Sequence, residues 1–558
     1  MATFLENVFA QLERSADRVI LREIRGSEFM SVTGRELLEL VARSRGFLRR
    51  STLQPGDRCA VLGANSIRWV AIDLALMAER IIVVPLYSRQ APAELAAVMQ
   101  DCAPRLLLCG DSQLGDTVAK VWTQIPERMT FDEILRDTSE MKSISGEPLV
   151  RTASDLVTII YTSGTSGEPK GVCLSAGNLN HMLACTTGWM DRLGHNGREA
   201  MRVFQYLPFN FAASWIVVMS CLSKETVLTL STDLNNLADE IRLSGPHYFF
   251  NVPTLLERVR RGVEEALSKR GGVIQKIYRN AVGAWQRKQE GKKRGGDTFK
   301  LFLGQKLIFR NIRDRFGSNL RGLVCGSAPL APETQDFFAM LGIPIWQVYG
   351  LTETCGICTM DDPAQPGEPG RVGLAIPGIE MKAGDNDEIL VRGPNIFPGY
   401  WNRPEETARV LQEGWFHSGD QGEMNSRENW RISGRIKNLL VLNSAHKVAP
   451  EPLEEKIAQR LAGAQQVVVV GNGRGYLCVL ITGTVDANAA QDALDKLNME
   501  VPHYRQIRNF VILPEAFTPE SGLLTANGKL RRDAINDKFH TEIEQMYAKH
   551  AVAVGSNG

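Results

Sequence analysis

Between residues 58 and 109 the chain alternates strand-like runs (CAVLG, IIVVPLY, RLLLC) with helix-like ones (SIRWVAIDLALMAE, APAELAAVMQD). This rhythm is the pattern of an α/β domain with a largely parallel sheet. It returns after Leu156 and changes after Gly434, where short strands (NLLVL, QVVVVG, YLCVLI) and two helices (PEPLEEKIAQRLA, ANAAQDALDKLN) predict a compact α+β unit. A chain of 558 residues is too long for one ordinary domain. The expected division is a large unit over residues 1–434 and a small one over 435–558. No internal repeat of fixed period is visible, and AVAVGSNG at the end is expected to be disordered.

The charge balance, 64 basic against 63 acidic residues, gives the molecule as a whole no electrostatic reason to seek nucleic acid, so any anion site is local. The N-terminal run MATFLENVFAQLERSADRVI breaks its apolar positions with Glu6, Glu13 and Arg14 and reads as an amphipathic helix, not a signal peptide. No apolar run approaches the roughly 20 residues that span a bilayer; Ile81 to Val84 and Val467 to Val470 have the length of buried strands. A cytoplasmic protein, soluble or peripherally bound to a membrane, is expected. The ten cysteines lie in apolar or mixed contexts and read as reduced core residues; Cys355 and Cys358 have CxxC spacing, but no second pair or nearby His completes a zinc site.

Residues 258–316 are rich in Lys and Arg, among them Arg260, Arg261, Lys269, Arg270, Arg287, Lys288, Lys292, Lys293 and Arg294, with helical spacing broken at Gly271–Gly272 and Gly295–Gly296. An exposed helical insertion is expected there. Its basic side chains are either a solvated helix face or a contact for anionic phospholipid or the phosphates of coenzyme A.

The most specific segment is YTSGTSGEPKG, residues 161–171. Gly164 and Gly167 let backbone N–H groups turn toward an anion, Thr162, Ser163, Thr165 and Ser166 add donors, and Lys170 adds a point charge. A Walker loop needs Gly before its lysine and Ser or Thr after it, whereas Pro169 and Gly171 stand here. A P-loop kinase or ATPase is disfavoured.

YTSGTSGEPKG resembles the signature of the adenylate-forming superfamily: acyl-CoA synthetases, luciferase-like enzymes and peptide-synthetase adenylation domains. GSAPL (326–330), YGLTET (349–354), GWFHSGD (414–420), WRISGRIKN (430–438) and NGKLRR (527–532) follow in the order that this family shows. The resemblance implies a large N-terminal α/β domain of parallel-sheet subdomains plus a small β-barrel-like part, and a small mobile α+β C-terminal domain. It also implies ATP and Mg²⁺ as cofactors and coenzyme A as co-substrate.

The residues suit those roles. Glu353 is a hard oxygen ligand for Mg²⁺, with Thr162 as hydroxyl partner; Thr352 can donate to the α-phosphate and Tyr349 offers a ring for adenine. The resemblance implies that Gly326, Ser327, Ala328 and Pro329 line the adenine pocket, with Gly350 beside them, where a flat ring needs close backbone approach. Asp420 can accept from both ribose hydroxyls, supported by Ile432 and Arg435. Lys529 of the small domain is the expected catalytic cation, because carboxylate attack on the α-phosphate joins two anions. Lys437 matches the family's hinge position.

Within the superfamily the chain is most similar to long-chain fatty acyl-CoA synthetases, through the basic insertion before GSAPL, the run LLVLNSAHKVAPEPLE, and QVVVVGNGRGYLCVLI. GNGRG in that last run reads as a hairpin turn. Three departures stand out: Phe211 occupies a usual histidine position in LPFNFAASW, Trp215 lies near a usual arginine, and Ala445 replaces a customary glycine near the pantetheine tunnel. FNFAASWIVVMS and YFFNVPTLLERV are either acyl-chain walls or plain core. Three functions remain open: a long-chain fatty acid–CoA ligase, an adenylating enzyme that loads an acyl carrier protein or uses another acid, and an inactive homologue. The presence of Lys529, Glu353, Asp420 and Arg435 argues against the third.

Overall fold

The structure is a computed structural model and describes residues 3–136, 146–163, 169–193, 199–317, 319–365, 367–518, 521–525 and 528–554. Two large sheets organise the first part of the chain. In the nine-stranded sheet, Ile345–Tyr349, Gly322–Cys325, Tyr248–Asn251, Met201–Gln205, Thr226–Leu230 and Val19–Arg25 run parallel in that spatial order. Antiparallel strands close both of its edges. The seven-stranded sheet has a parallel centre, Leu156–Ser163, Ile82–Tyr87, Arg58–Gly63 and Leu106–Cys109, so the apolar runs legible in the sequence are buried parallel strands.

Helix Ile67–Ala78 joins the two sheets into one core. Ser66 accepts a hydrogen bond from the Trp69 N–H at 3.1 Å to start it, and every residue except Arg68 is buried. A helix apolar all round must be covered on all sides. Residues of both sheets, Leu21 and Val203 from one and Val61 and Val83 from the other, share its cluster. The amphipathic N-terminal segment forms helix Phe4–Arg14 with a Thr3–Glu6 capping box, and it packs Phe4, Leu5, Val8, Phe9 and Leu12 into the same core.

Trp215 is also core. It lies on helix Ala212–Leu222 and its indole N–H donates to Asp73 Oδ2 at 2.8 Å. Phe211 starts that helix and stacks on Phe250, 6.2 Å between centroids. FNFAASWIVVMS is therefore largely packing between helices: Trp215, Ile216, Val218 and Met219 are buried there.

The part expected to be barrel-like is an antiparallel sheet of Glu380–Ala383, Glu388–Arg392, Trp415–Met424, Leu411–Gln412 and Trp430–Arg435 that does not close on itself. A strand as short as Leu411–Gln412 offers too little ladder to complete a ring. The C-terminal unit has its own core around Ala464–Val470, Leu477–Gly483 and Ile507–Leu513, covered by helices Glu451–Arg460 and Ala487–Glu500. GNGRG is the hairpin between the first two of those strands. Helix His540–Val554 runs on where the chain was expected to lose order, and residues 555–558 lie outside the described residues.

The basic segment folds as helices Pro253–Ser268, Gly272–Gln289, Asp297–Gly304 and Arg310–Arg313, separated near the glycine pairs. Leu256, Leu267, Ala281, Ile308 and Phe309 anchor it to Phe249, Leu323 and Phe338 of the second core. All ten cysteines are free and nine are buried; burial pushes the Cys358 thiol up to about 12. Among the described residues no helix is long and apolar enough to cross a membrane.

Asp73 gives this core a pH dependence. Burial raises its carboxyl to about 7, partly offset by the Trp215 hydrogen bond. An acid raised above its unfolded value of about 4 holds a proton in the native state that the unfolded chain has lost. Its contribution to stability is thus full below about pH 4 and declines as pH rises to about 7. Asp73→Asn is expected to flatten the fall of Tm between pH 5 and pH 8 and to melt above the parent at the upper end. An unchanged slope in differential scanning fluorimetry would show that Asp73 does not carry this effect.

Candidate active site

Strands Gly322–Cys325 and Ile345–Tyr349 are parallel neighbours, with Cys325 opposite Gln347, so GSAPL and YGLTET leave the sheet side by side at its carboxyl edge. In open α/β sheets that edge is where ligands bind. Close approach fixes the residue type here. A Cβ on Gly326 would stand 2.6 Å from Val348 Cγ2, and one on Gly350 would stand 2.5 Å from the Gly356 carbonyl oxygen. Ser327 takes a left-handed φ of 77°, and Ala328 and Pro329 after it are exposed. Thr352 and Glu353, both half-buried, lie on the short turn Thr352–Thr354 that follows.

The phosphate-loop segment is an antiparallel hairpin, Leu156–Ser163 with Pro169–Ser175, in which Thr162 faces Lys170 and Ser163 faces Pro169. Gly164, Thr165, Ser166 and Gly167 lie outside the described residues. The hairpin is tied to YGLTET through Tyr400, which pairs with Val172 beside it and donates its hydroxyl to Glu353 Oε1 at 2.8 Å. The Lys170 ammonium pairs with Glu406 and lies 5.7 Å from the Tyr400 ring centroid.

Asp420 and Arg435 face each other on adjacent antiparallel strands. The buried Asp420 carboxylate accepts from the Tyr349 hydroxyl at 2.9 Å and from Arg435 Nε at 2.8 Å. Tyr349 therefore meets this edge through its hydroxyl, and burial together with Asp420 holds its phenol far above the usual range. Ile432, on the Arg435 strand, packs its side chain against the main core.

Lys529 reaches this edge from the C-terminal unit. Its loop is pinned by the Thr525 N–H donating to the Lys529 carbonyl at 2.8 Å and by the Lys529 N–H donating to Thr525 Oγ1 at 3.1 Å. Its ammonium is held below the usual lysine range by burial and then by Arg435, partly offset by Asp420 and Glu353. Lys437, in the turn Ile436–Asn438, is lowered to about 8 by burial and then Arg435, with Lys529 acting in the same sense. Both lysine side chains are nevertheless exposed, so solvent screens these shifts and their direction alone carries weight. Arg435, Lys437 and Lys529 thus gather around Asp420 and Glu353, with Glu451 also acting on Arg435.

Sequence reasoning missed what brings Lys529 there. Arg531, inside NGKLRR, forms an ion pair with Glu94 on helix Pro92–Cys102 of the large unit. At the other end of that helix Asp101 accepts from the Tyr161 hydroxyl at 2.6 Å and pairs with Arg403 at 2.8 Å. One helix therefore touches both the phosphate-loop hairpin and the lysine loop. Arg532 points the other way, making 2.7 and 2.6 Å bonds to Glu454 of its own unit. Tyr400 was missed as well; an aromatic after Pro-Gly carries no spacing signal that names its partner.

The model of the AMP-binding enzyme family matches residues 8–401, and that of the AMP-binding enzyme C-terminal domain matches residues 437–551. The chain belongs to the AMP-binding enzyme family. It is similar to the long-chain-fatty-acid–CoA ligase FadD15 of Mycobacterium tuberculosis, 28% identical over 97% of this chain and 96% of that protein. Its fold is that of the adenylation domain of a carboxylate reductase from Mycobacterium chelonae, with a TM-score of 0.79, 22% identity, and 98% and 91% of the two chains covered. The o-succinylbenzoate CoA synthetase of Bacillus subtilis in complex with its acyl-adenylate intermediate gives a TM-score of 0.73 at 19% identity over 94% and 97%. This AMP-binding enzyme is an adenylate-forming CoA ligase that uses ATP with Mg²⁺ and takes coenzyme A as co-substrate.

The contact between the units is testable without a reaction. Glu94→Ala removes the large-domain partner of Arg531, and backbone amides around Lys529 are expected to exchange faster in hydrogen–deuterium exchange mass spectrometry. Glu94→Arg combined with Arg531→Glu should restore their protection. Equal exchange in parent and Glu94→Ala would remove the latch.

Proposed function

We propose that this enzyme activates a long-chain fatty acid as its acyl-adenylate and then transfers the acyl group to coenzyme A, releasing AMP and pyrophosphate. The observation that carries the chemistry is the convergence of Arg435, Lys437 and Lys529 on Glu353 and Asp420 at the carboxyl edge of a parallel sheet. The fatty-acid assignment is supported by the similarity to FadD15 over nearly the whole of both chains.

Each group then has a task. The fatty carboxylate attacks the α-phosphorus, a bond forms from its oxygen, and pyrophosphate leaves with the electron pair. Lys529 neutralises charge that develops on the transferring group, and Thr352 donates to the α-phosphate. Gly326, Ser327, Ala328, Pro329 and Gly350 form the wall against adenine with Tyr349, and Thr162 to Gly167 with Lys170 hold the β- and γ-phosphates. Asp420, its oxygens oriented by Tyr349 and Arg435, accepts from the ribose hydroxyls, with Ile432 behind the sugar.

Glu353 suits Mg²⁺, because Tyr400 orients its carboxylate and the hydroxyl of Thr162 is the proposed second donor. Among the described residues no group of three or more His, Cys, Asp or Glu side chains forms a metal cage. Mg²⁺ takes one or two carboxylates and completes its shell with phosphate oxygens and water. When bound it supplies charge neutralisation on the phosphates.

Lys437 lies between the last strand of the large unit and the first of the small one, where a hinge rotates Lys529 away and admits the coenzyme A thiol. Ala445 holds φ at 62°, a backbone conformation natural to glycine, so the departure at that position keeps the turn of the chain. A coenzyme A route beside this loop is consistent with that path.

The deciding experiment measures pyrophosphate release with ATP, Mg²⁺ and acids from acetate to palmitate, aryl acids included, with and without coenzyme A. Palmitate-length acids are expected to release pyrophosphate and to yield thioester with coenzyme A. Lys529→Ala should slow adenylation by roughly 10²- to 10³-fold, the loss seen when one electrostatic stabiliser is removed. Release without thioester formation would favour a carrier-protein acceptor, and activity confined to short or aryl acids would overturn the fatty-acid reading.

A further inference from the structure

Strands Glu388–Arg392 and Trp415–Met424 fall out of step where the second carries HSGD. Leu390 faces His417 and Glu388 faces Gln421, so a step of two residues on one strand is matched by four on the other. Trp415–Met424 therefore bulges over Ser418, Gly419 and Asp420, with Gly419 at a left-handed φ of 68°. A bulge re-aims a side chain and takes backbone N–H groups out of the ladder, where they need other partners. Here the side chain is the Asp420 carboxylate, which meets Tyr349 and Arg435. The Asp420 N–H is satisfied locally, by Ser418 Oγ at 3.1 Å.

Glu388 fills the bulge. Its side chain, 16% exposed, accepts from the Gly419 N–H at 2.9 Å through Oε1 and from His417 Nδ1 at 2.9 Å through Oε2. A carboxylate only accepts, so the imidazole carries its proton on Nδ1. The turn that delivers Glu388 is held from two sides. Asn386 and Asp387 take left-handed φ values of 56° and 59°, which Asn and Asp adopt more readily than other residues with a side chain. The Asn386 carbonyl accepts from Gln421 Nε2 at 2.7 Å, and its Oδ1 accepts from Lys447 of the C-terminal unit at 2.9 Å. Both chain neighbours of Asp420, Gly419 and Gln421, are therefore fixed to residues 386–388.

On the reading of Asp420 as the ribose ligand, we propose that Glu388 is a positioning residue for it: by holding His417 and Gly419, it sets the Asp420 oxygens where the ribose hydroxyls can donate to them. Asp420 spends one acceptor direction on each of Tyr349 and Arg435, so the lone pairs left for a sugar depend on how the bulge is turned. Removing the Glu388 carboxylate deprives the half-buried Gly419 N–H of its partner and leaves a glycine, unrestrained by a Cβ, beside the ribose ligand. Glu388 itself touches no nucleotide; its effect reaches the sugar through Asp420.

The test is nucleotide binding in the absence of any carboxylic acid, so the outcome is independent of which acid the enzyme takes. Isothermal titration calorimetry of the full chain compares ATP with 2′-deoxy-ATP and 3′-deoxy-ATP in Mg²⁺. The parent is expected to favour ATP over each by about tenfold, the scale of one hydrogen bond to a charged group. Glu388→Ala should cut that preference to about twofold or less, because the acceptor no longer faces the hydroxyls. Glu388→Gln, whose amide oxygen can still accept from Gly419, should keep most of it. Adding Glu388→Ala to Asp420→Ala should lower it no further, since the two act as one unit. Circular dichroism should match the parent in both single Glu388 variants. A parent that binds all three nucleotides equally would overturn the ribose reading and the proposal with it. A parent that discriminates would overturn the proposal alone if Glu388→Ala discriminates as well, or loses all three nucleotides in the same proportion. So would a Gln variant no better than the Ala variant.

Discussion

The Asp420 carboxylate holds the catalytic edge together. It is buried, it belongs to the antiparallel sheet, and its two oxygens are satisfied by Tyr349 from the end of a parallel strand and by Arg435 from the last strand before the C-terminal unit. Three elements with different backbone directions are thereby set to one another within hydrogen-bond length. Loss of the Arg435 guanidinium would leave this buried carboxylate without its counter-charge, a cost that solvent at the partly exposed guanidinium reduces below that of a fully buried pair. The same guanidinium then biases its neighbours: Lys437 and Lys529 each find Arg435 as their foremost charged neighbour after burial, and both give up basicity to it.

That electrostatic arrangement depends on the docked position of the small unit. Lys529 feels Arg435, Asp420 and Glu353 in the docked position, in which Arg531 meets Glu94 while Arg532 stays with Glu454. Two adjacent arginines thus face opposite units, one fastening the loop to its own domain and the other to helix Pro92–Cys102. Because that helix also receives Tyr161 and Arg403 through Asp101, the phosphate hairpin and the lysine loop share a single mechanical reference.

The parallel strands were legible because runs such as IIVVPLY are apolar without alternation, the pattern a strand shows when both of its faces are covered. The helices of the basic segment were legible from spacing, with their breaks at the glycine pairs. The open antiparallel sheet was not, because its two-residue strand Leu411–Gln412 leaves no period to read and the pairing of its strands is decided by distant partners. The same holds for the site. Asp420, Arg435, Glu353 and Lys529 stand in recognisable strings, whereas the partners that orient them do not: Tyr400 lies 47 residues from Glu353, and Arg531 lies 437 residues from Glu94. No local pattern encodes such pairs, which exist only after both sheets and the second unit have packed.

The departures from the family pattern separate by where the backbone puts them. Trp215 replaces an expected polar contact with core packing, and its one polar atom is absorbed by Asp73, an acid whose other oxygen has no protein partner. A helix start capped by Phe211, stacked on Phe250, extends that apolar surface toward strand Tyr248–Asn251. Ala445 does the reverse: the side chain changes and the backbone does not, holding a left-handed φ that costs an alanine about 1–2 kcal/mol relative to the ordinary helical region. A residue kept in that conformation by Leu440–Val441 and Lys447–Val448 on either side shows that the turn is set by the pairing of those strands, and that the path of this loop is specified more tightly than its side chain.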